Sequence, residues 1–251
     1  MNRIGKIRYW LQIFVLFSIM VFPANSYISA QSNLFNKYGL LVIKDVNILQ
    51  KEIVLDSNKK MVDLRKAIPG LALDLKYATT DNFMHQILYP FGSTTFLRKP
   101  AADALKLVIN DLKIIHLTIK IFDAYRPYSV TEKMWEKVPD DRYAADPAKG
   151  SGHNRGIAVD LTLIDLKTKK ELPMGTGFDN FSDTAHSAFT NLPKEMLHNR
   201  NILKSAMEKY GFLVLSTEWW HFYLPNTSTF ELLDLSFSDL KKLNRKKDKK
   251  N

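Results

Sequence analysis

Ser151-Gly152-His153-Asn154-Arg155-Gly156-Ile157-Ala158-Val159-Asp160 is the run on which the reading of the fold turns. Beyond the glycine, Ile157, Val159, Leu161 and Leu163 alternate with Ala158, Asp160 and Thr162. A period of two predicts a strand with one apolar face and one small or polar face. Asp160 is expected on the face away from the core, beside the small Ala158, where a ligand has room. Further along, Glu218-Trp219-Trp220-His221-Phe222-Tyr223 adds a second imidazole and a second carboxylate. His153, Asp160 and His221 together suit one catalytic zinc ion per chain, with its fourth position open to water. Glu218 is left as the carboxylate able to take a proton from that water. Residues three apart on a flat strand face opposite sides, so Glu218 is expected in a turn or bulge before the strand. Trp219, His221 and Tyr223 are expected to share one face.

A lone His-x6-Asp pair is commonly no more than polar decoration of a sheet edge. Here S-x-H-x-x-G-x-A-x-D is followed by E-x-W-H. The two runs in this order resemble the signature of the zinc D,D-peptidases, which share a fold with the hedgehog signalling domain. The doubled tryptophan looks most like the D-alanyl-D-alanine dipeptidases (VanX type). The resemblance covers roughly residues 70–225 and implies a zinc metallopeptidase that hydrolyses the D-Ala-D-Ala dipeptide, with Glu218 as general base.

Leu117, Ile119 and Ile121 mark another strand, running into Asp123-Ala124-Tyr125-Arg126-Pro127. An arginine at a strand end, braced by proline, presents a fixed cation to an anion. A structural ion pair with Asp123 is an equally good reading of the segment alone. The segment resembles the family's D-x-Y-R-P, which implies that Arg126 stabilises the oxyanion of the tetrahedral intermediate. Leu71 to Tyr77 alternates as a half-buried strand. The stretch after it resembles the dipeptidases' segment in which the tyrosine, here Tyr77, lies near the substrate, although such a Tyr is more often a core residue. Met174-Gly175-Thr176-Gly177-Phe178-Asp179 is a glycine-rich turn and not a phosphate loop. It resembles the family's M-G-x-x-F-D, whose aspartate faces the substrate's free amino group; without the resemblance, Asp179 reads as a turn-capping residue. Ser151 joins Tyr77 and Asp179 as a candidate for holding the ends of the dipeptide. His186 follows the family pattern without a derivable role, and His85, His116 and His198 fit no metal spacing.

The remaining elements read as scaffold. Pro100 opens a helix with apolar residues from Ala101 to Leu112 at helical spacing, and a second long helix follows Pro193 and stops at Gly211. Ser129 and Glu132 suggest a capping box for a short helix through Val138. Residues 139–150 form a loop suited to a pocket rim. Strands and helices without β-α-β repeats predict an α+β domain, a mostly antiparallel sheet carrying the zinc site and flanked by helices, as in the hedgehog/D,D-peptidase fold.

The 251 residues carry a net charge of +10, most of it in the ends. Arg3, Lys6 and Arg8 stand in an acid-free start, and the tail from Lys241 to Asn251 holds seven basic residues and one Asp. The body is close to neutral, which argues against a nucleic-acid partner. There is no cysteine, hence no disulfide, no thiolate zinc site and no lipid-anchored N-terminal Cys. Residues 1–30 read as a secretory signal peptide: basic residues, an apolar core from Ile13 to Phe22, then Pro23 and small residues. Cleavage fits Ala24-Asn25-Ser26 or Ile28-Ser29-Ala30, and an uncleaved anchor is the competing reading. Residues 31–60 read as an extension of unknown role, 61–235 as the catalytic domain and 236–251 as a basic, partly disordered tail. The expected protein is exported, periplasmic or extracellular, with no stable membrane insertion after cleavage. It takes a small D,D-dipeptide in wall turnover or salvage, since the resistance members act in the cytosol. The alternatives are a D,D-carboxypeptidase or endopeptidase on peptidoglycan stems and, from another class, a non-catalytic zinc-binding module.

Overall fold

A computed structural model of the chain describes residues 35–90, 94–225 and 229–248. The apolar N-terminal run and both cleavage candidates lie outside the described residues. In chain order, β1 (Val42–Ile43) leads to α1 (Val46–Leu55), β2 (Met61–Asp63), α2 (Leu64–Ala67) and β3 (Ala72–Leu73). Next come β4 (Phe96–Arg98), α3 (Lys99–Ile114), β5 (Leu117–Asp123) and α4 (Tyr128–Lys137). The second half consists of α5 (Gly152–Arg155), β6 (Ala158–Asp165), α6 (Lys194–Lys209), β7 (Leu213–Val214), β8 (His221–Tyr223), β9 (Leu232–Leu233) and α7 (Phe237–Asp248).

The central sheet has the order β3-β5-β6-β8-β7 and is antiparallel except where β3 pairs with β5. This is the mostly antiparallel α+β architecture that the strand pattern predicts. On β6, however, both faces are buried: Ile157 to Leu163 are all inaccessible, Asp160 included. The apolar face packs into the core and the small, polar face is covered by the walls of a cavity. α3 lays Ala101, Leu105, Val108, Ile109 and Leu112 into that core. Complete burial of one such aliphatic side chain stabilises the fold by about 1.5–3 kcal/mol.

Several elements differ from the sequence reading. The expected strand from Leu71 to Tyr77 is strand only at Ala72–Leu73, and a 3-10 turn at Lys76–Ala78 then carries Tyr77 inward. Ser129 and Glu132 form no capping box. The helix starts on Pro127 without a side-chain cap, the Ser129 hydroxyl donates to Asp234 at 2.7 Å, and Glu132 pairs with Lys37. Residues 35–60 are no loose extension, because Ile43, Leu49 and Ile53 belong to the same core and β1 pairs with β9. Nor is the C-terminal end a tail as far as Asp248. α7 buries Leu240 and Leu243, and the Asn244 amide donates to the Met61 carbonyl.

Arg98 ties these outlying segments to the centre. Fully buried, its guanidinium donates to the carbonyls of Lys59 (2.6 Å), Arg155 (2.9 Å) and Glu231 (3.2 Å). The fork spreads its donors over three nitrogens and so spans three chain segments, whereas a lysine's donors all leave one nitrogen. Among the described residues no helix is long and apolar enough to cross a membrane.

Candidate active site

His153 sits on α5, a helix of one turn that could not persist alone. Ser151 caps it: its Oγ accepts from the His153 N–H at 3.1 Å, and the Asn154 side chain accepts from the Ser151 N–H at 3.0 Å. Gly156 ends the turn with φ of 72°, and a Cβ there would meet Met61 Sδ at 2.9 Å. The positive φ favours glycine, and a side chain there would also have to displace the end of Met61. The Asn154 amide donates to the Arg126 carbonyl (2.9 Å) and to Thr131 Oγ1 (2.8 Å), tying the turn to the end of β5. The His153 Nδ1–H donates to the Ala124 carbonyl at 2.7 Å. That bond sets the tautomer and leaves Nε2, with its lone pair, facing the cavity.

Asp160 and His221 come together through register. Asp160 on β6 lies directly opposite His221 on β8, and on its other side opposite Asp123 on β5. Directly paired residues share a face. An irregularity between Ile121 and Asp123 brings Asp123 into this row. Asp160 Oδ1 is 2.9 Å from His221 Nδ1, Asp160 Oδ2 is 3.3 Å from His153 Nε2, and the two imidazole nitrogens are 3.2 Å apart. Tetrahedral ligands at zinc bond lengths stand about 3.3 Å from one another. The three donors therefore fit a divalent metal in both spacing and type. Burial works against an ionised Asp160, but His153 and His221 outweigh it and hold its carboxyl well below the usual range.

Glu218 lies in the turn before β8, as the three-residue spacing requires, with Oε2 3.8 Å from His221 Nδ1. Burial pushes its carboxyl up to about 7. The expected Trp219–His221–Tyr223 face does not form, because the strand begins only at His221. Trp220 lines the cavity with His221, whereas the Trp219 indole turns away to donate to Thr176 Oγ1 at 2.8 Å. Arg126 satisfies both of its readings. Nε and Nη2 contact Asp123 Oδ2 at 2.9 and 2.8 Å, and the guanidinium still lines the cavity, 3.9 Å from Asp160. Burial opposes its charge, and Asp123 more than offsets this.

The cavity, of about 250 Å³, is lined by the triad together with Tyr77, Asp179 and Phe83. Tyr77 donates its hydroxyl to Asp179 at 3.0 Å. Burial pushes Asp179 up to about 8, so a cation arriving beside it would be welcome. Phe83 contacts Phe181 at 5.4 Å between centroids, and Phe181 contacts Tyr143 of the 139–150 loop at 4.6 Å. This aromatic contact joins the two loops beside the cavity. The cap uses one lone pair of Ser151 Oγ, which leaves its proton and its second lone pair to offer a ligand. His186 is partly exposed and lies outside the cavity, and His85, His116 and His198 are at the surface.

A family profile described as D-ala-D-ala dipeptidase, peptidase M15, matches residues 57–242. The chain belongs to that family. It is 37% identical over 179 residues to a D-alanyl-D-alanine dipeptidase of Escherichia coli, covering 71% of this chain and 92% of that protein. A D-alanyl-D-alanine dipeptidase of Enterococcus faecium is 30% identical over 183 residues, 64% of this chain and 89% of the relative. Among solved structures, an LD-carboxypeptidase described for its recognition of peptidoglycan aligns with a TM-score of 0.36 at 19% identity, over 54% of this chain and 62% of that one. That likeness is too low to bear on the fold.

As a peptidase M15 member the chain is a metal-dependent hydrolase, and His153, Asp160 and His221 are the residues that could hold its metal. The sequence reading overlooked much of what orients them. Tyr89 donates to Asp123, which holds Arg126, and the Ala124 carbonyl orients His153. A backbone carbonyl carries no side-chain signature, and Tyr89 is an ordinary aromatic until the sheet forms. Asp123 was in view only as a partner for Arg126, and the register adds it to the row.

Proposed function

We propose that this chain hydrolyses free D-alanyl-D-alanine with a zinc ion held by His153, Asp160 and His221. The observation that carries the reading is one cavity lined by the triad, by the spare carboxylate of Glu218 and by the hydrogen-bonded Tyr77 and Asp179. When bound, zinc supplies Lewis-acid polarisation of the scissile carbonyl and acidification of a water. Glu218, with a carboxyl near neutrality, accepts the proton of the attacking water and passes it to the departing amine. Arg126, held in place by Asp123, faces the negative charge that develops on the carbonyl oxygen. Loss of one such donor typically costs ~3 kcal/mol. Asp179 receives the substrate ammonium, and the Ser151 hydroxyl proton is available to the carboxylate end.

A dipeptidase must recognise an amine and a carboxylate only two residues apart. A carboxypeptidase needs only the carboxylate and must leave the amine side open to a long stem. The Tyr77, Phe83, Phe181 and Tyr143 contacts support a closed amine side. Free D-Ala-D-Ala should therefore react far faster than its N-acetyl derivative, which leaves Asp179 without its cation at a cost of ~1–3 kcal/mol or more. Asp179→Asn should raise KM for the free dipeptide and narrow that gap. Steady-state kinetics on both substrates checks this. Similar kcat/KM for the two in the unaltered enzyme would move the protein to the carboxypeptidase or endopeptidase reading. Glu218 and Arg126 beside a complete ligand set argue against a non-catalytic module, which needs neither.

Export is part of the proposal and rests on residues 1–30. The mature chain should begin near Tyr27 or Gln31, in the periplasm or outside the cell, where wall-derived dipeptides arise. N-terminal sequencing of native protein tests this, and an intact Met1 would reject cleavage.

A further inference from the structure

We infer that Arg200 is a positioning residue for recognition of the substrate's ammonium group, clamping both stems of the 174–186 segment so that Asp179 stays presented to the cavity. The inference deepens the dipeptidase reading and rests on it. Arg200 lies on α6, outside the cavity, and is 7% exposed. Its Nε donates to the Met174 carbonyl (2.6 Å), Nη2 to the Thr184 carbonyl (2.9 Å) and Nη1 to the His186 carbonyl (3.1 Å). Met174 precedes Asp179, and Thr184 and His186 follow it. One planar group thus fastens the entry and the exit of the turn that carries the aspartate.

Neighbouring contacts reinforce the clamp. The Asn199 amide donates to the Pro173 carbonyl at 2.9 Å, and the Trp219 N–H donates to the Ala185 carbonyl at 3.0 Å. Gly175 has φ of 90°, and a Cβ there would stand 2.8 Å from Leu192 Cδ2 and 3.4 Å from Arg200 Nη2. The positive φ favours glycine there, and the crowding a side chain would bring falls on Leu192, while the contact with Arg200 is ordinary. Asp179 itself has φ of 56°, in the left-handed region that side-chain-bearing residues seldom adopt. Such a conformation persists where the surroundings over-determine it. Burial pushes the Arg200 pKa down to about 10, and its guanidinium carbon lies 5.7 Å from the centre of the Trp219 ring. A buried guanidinium spent on three carbonyls of one segment is an expensive fixture if that segment need not be held still.

The test uses the full-length, metal-loaded enzyme and compares kcat and KM for D-Ala-D-Ala and its N-acetyl derivative. Arg200→Lys keeps a cation but cannot reach three divergent carbonyls. It should raise KM for the free dipeptide ~10–100-fold and leave kcat/KM for the acetylated one within ~3-fold, so that discrimination falls toward that of Asp179→Asn. A general loss of folding would lower both substrates together, and thermal unfolding recorded alongside identifies it. Should Arg200→Lys fail to fold, Asn199→Ala decides. It removes one tie from the same helix and should give a smaller loss of discrimination, ~3–10-fold. Discrimination that is lost in Asp179→Asn but retained in folded Arg200→Lys, or in Asn199→Ala if Arg200→Lys does not fold, overturns the inference alone. A wild-type enzyme that treats the two substrates alike overturns the ammonium reading and this inference with it.

Discussion

Glu218→Ala protein is expected to bind its metal as the wild type does and to lose turnover by ~10²–10⁴-fold, the usual worth of a positioned acid–base group. Glu218 is not one of the three converging donors. Its Oε2 stands 3.8 Å from His221 Nδ1, and it sits in the turn before β8, outside the group of three donors that lie within 4.8 Å of one another. Removing it leaves His153, Asp160 and His221 with their mutual spacing and with the hydrogen bond that orients His153. What disappears is a carboxylate that lines the cavity beside the ligand His221; Asp141 and Asp179 are the other non-ligand carboxylates of its lining. The paired measurement is metal stoichiometry by elemental analysis and kcat with D-Ala-D-Ala at saturation. Glu218→Gln, which keeps shape and hydrogen bonding but not basicity, should behave the same way. Near-normal kcat in either variant would assign the base to another group.

His221→Ala should lose both the metal and the activity. Two ligands would remain, one imidazole and one carboxylate, too few for a tetrahedral site of high affinity. The effect extends to stability. A metal that binds only the folded chain stabilises it by ~4 kcal/mol when present at a thousand times its Kd. A chelator should therefore lower the thermal midpoint of the wild-type protein and leave that of His221→Ala unmoved. In the variant, Asp160 also loses its 2.9 Å partner and stays buried beside His153. Stoichiometric divalent metal in purified His221→Ala would show that the ligand set is drawn wrongly.

The chemistry of the candidate site was legible because it lies in two dense runs. A histidine, a glycine and an aspartate at the mouth of an alternating strand, and a Glu-Trp-Trp-His run further on, need only local rules to be read. Glu218 was assignable to a turn because a flat strand cannot point residues three apart to one side. The same local rule failed for Trp219, since it presumed a strand longer than the one that forms. It failed again at Leu71–Tyr77, where pairing stops after two residues. Alternation reports which residues suit a strand, whereas its length depends on finding a neighbour.

Composition and spacing thus determined the donor types, the general base candidate and a mostly antiparallel α+β sheet, because side-chain period and ligand chemistry are properties of short stretches. Only the tertiary structure decided that Asp123, Asp160 and His221 form one row, because cross-strand register arises between segments distant in the chain. It alone drew residues 35–60 and α7 into the core, where Arg98 reaches carbonyls from three separate segments. It alone also turned Arg200, an unremarked residue of a polar helix, into the clamp on the Asp179 turn. Its partners are backbone carbonyls, which every residue possesses and which no sequence pattern can mark.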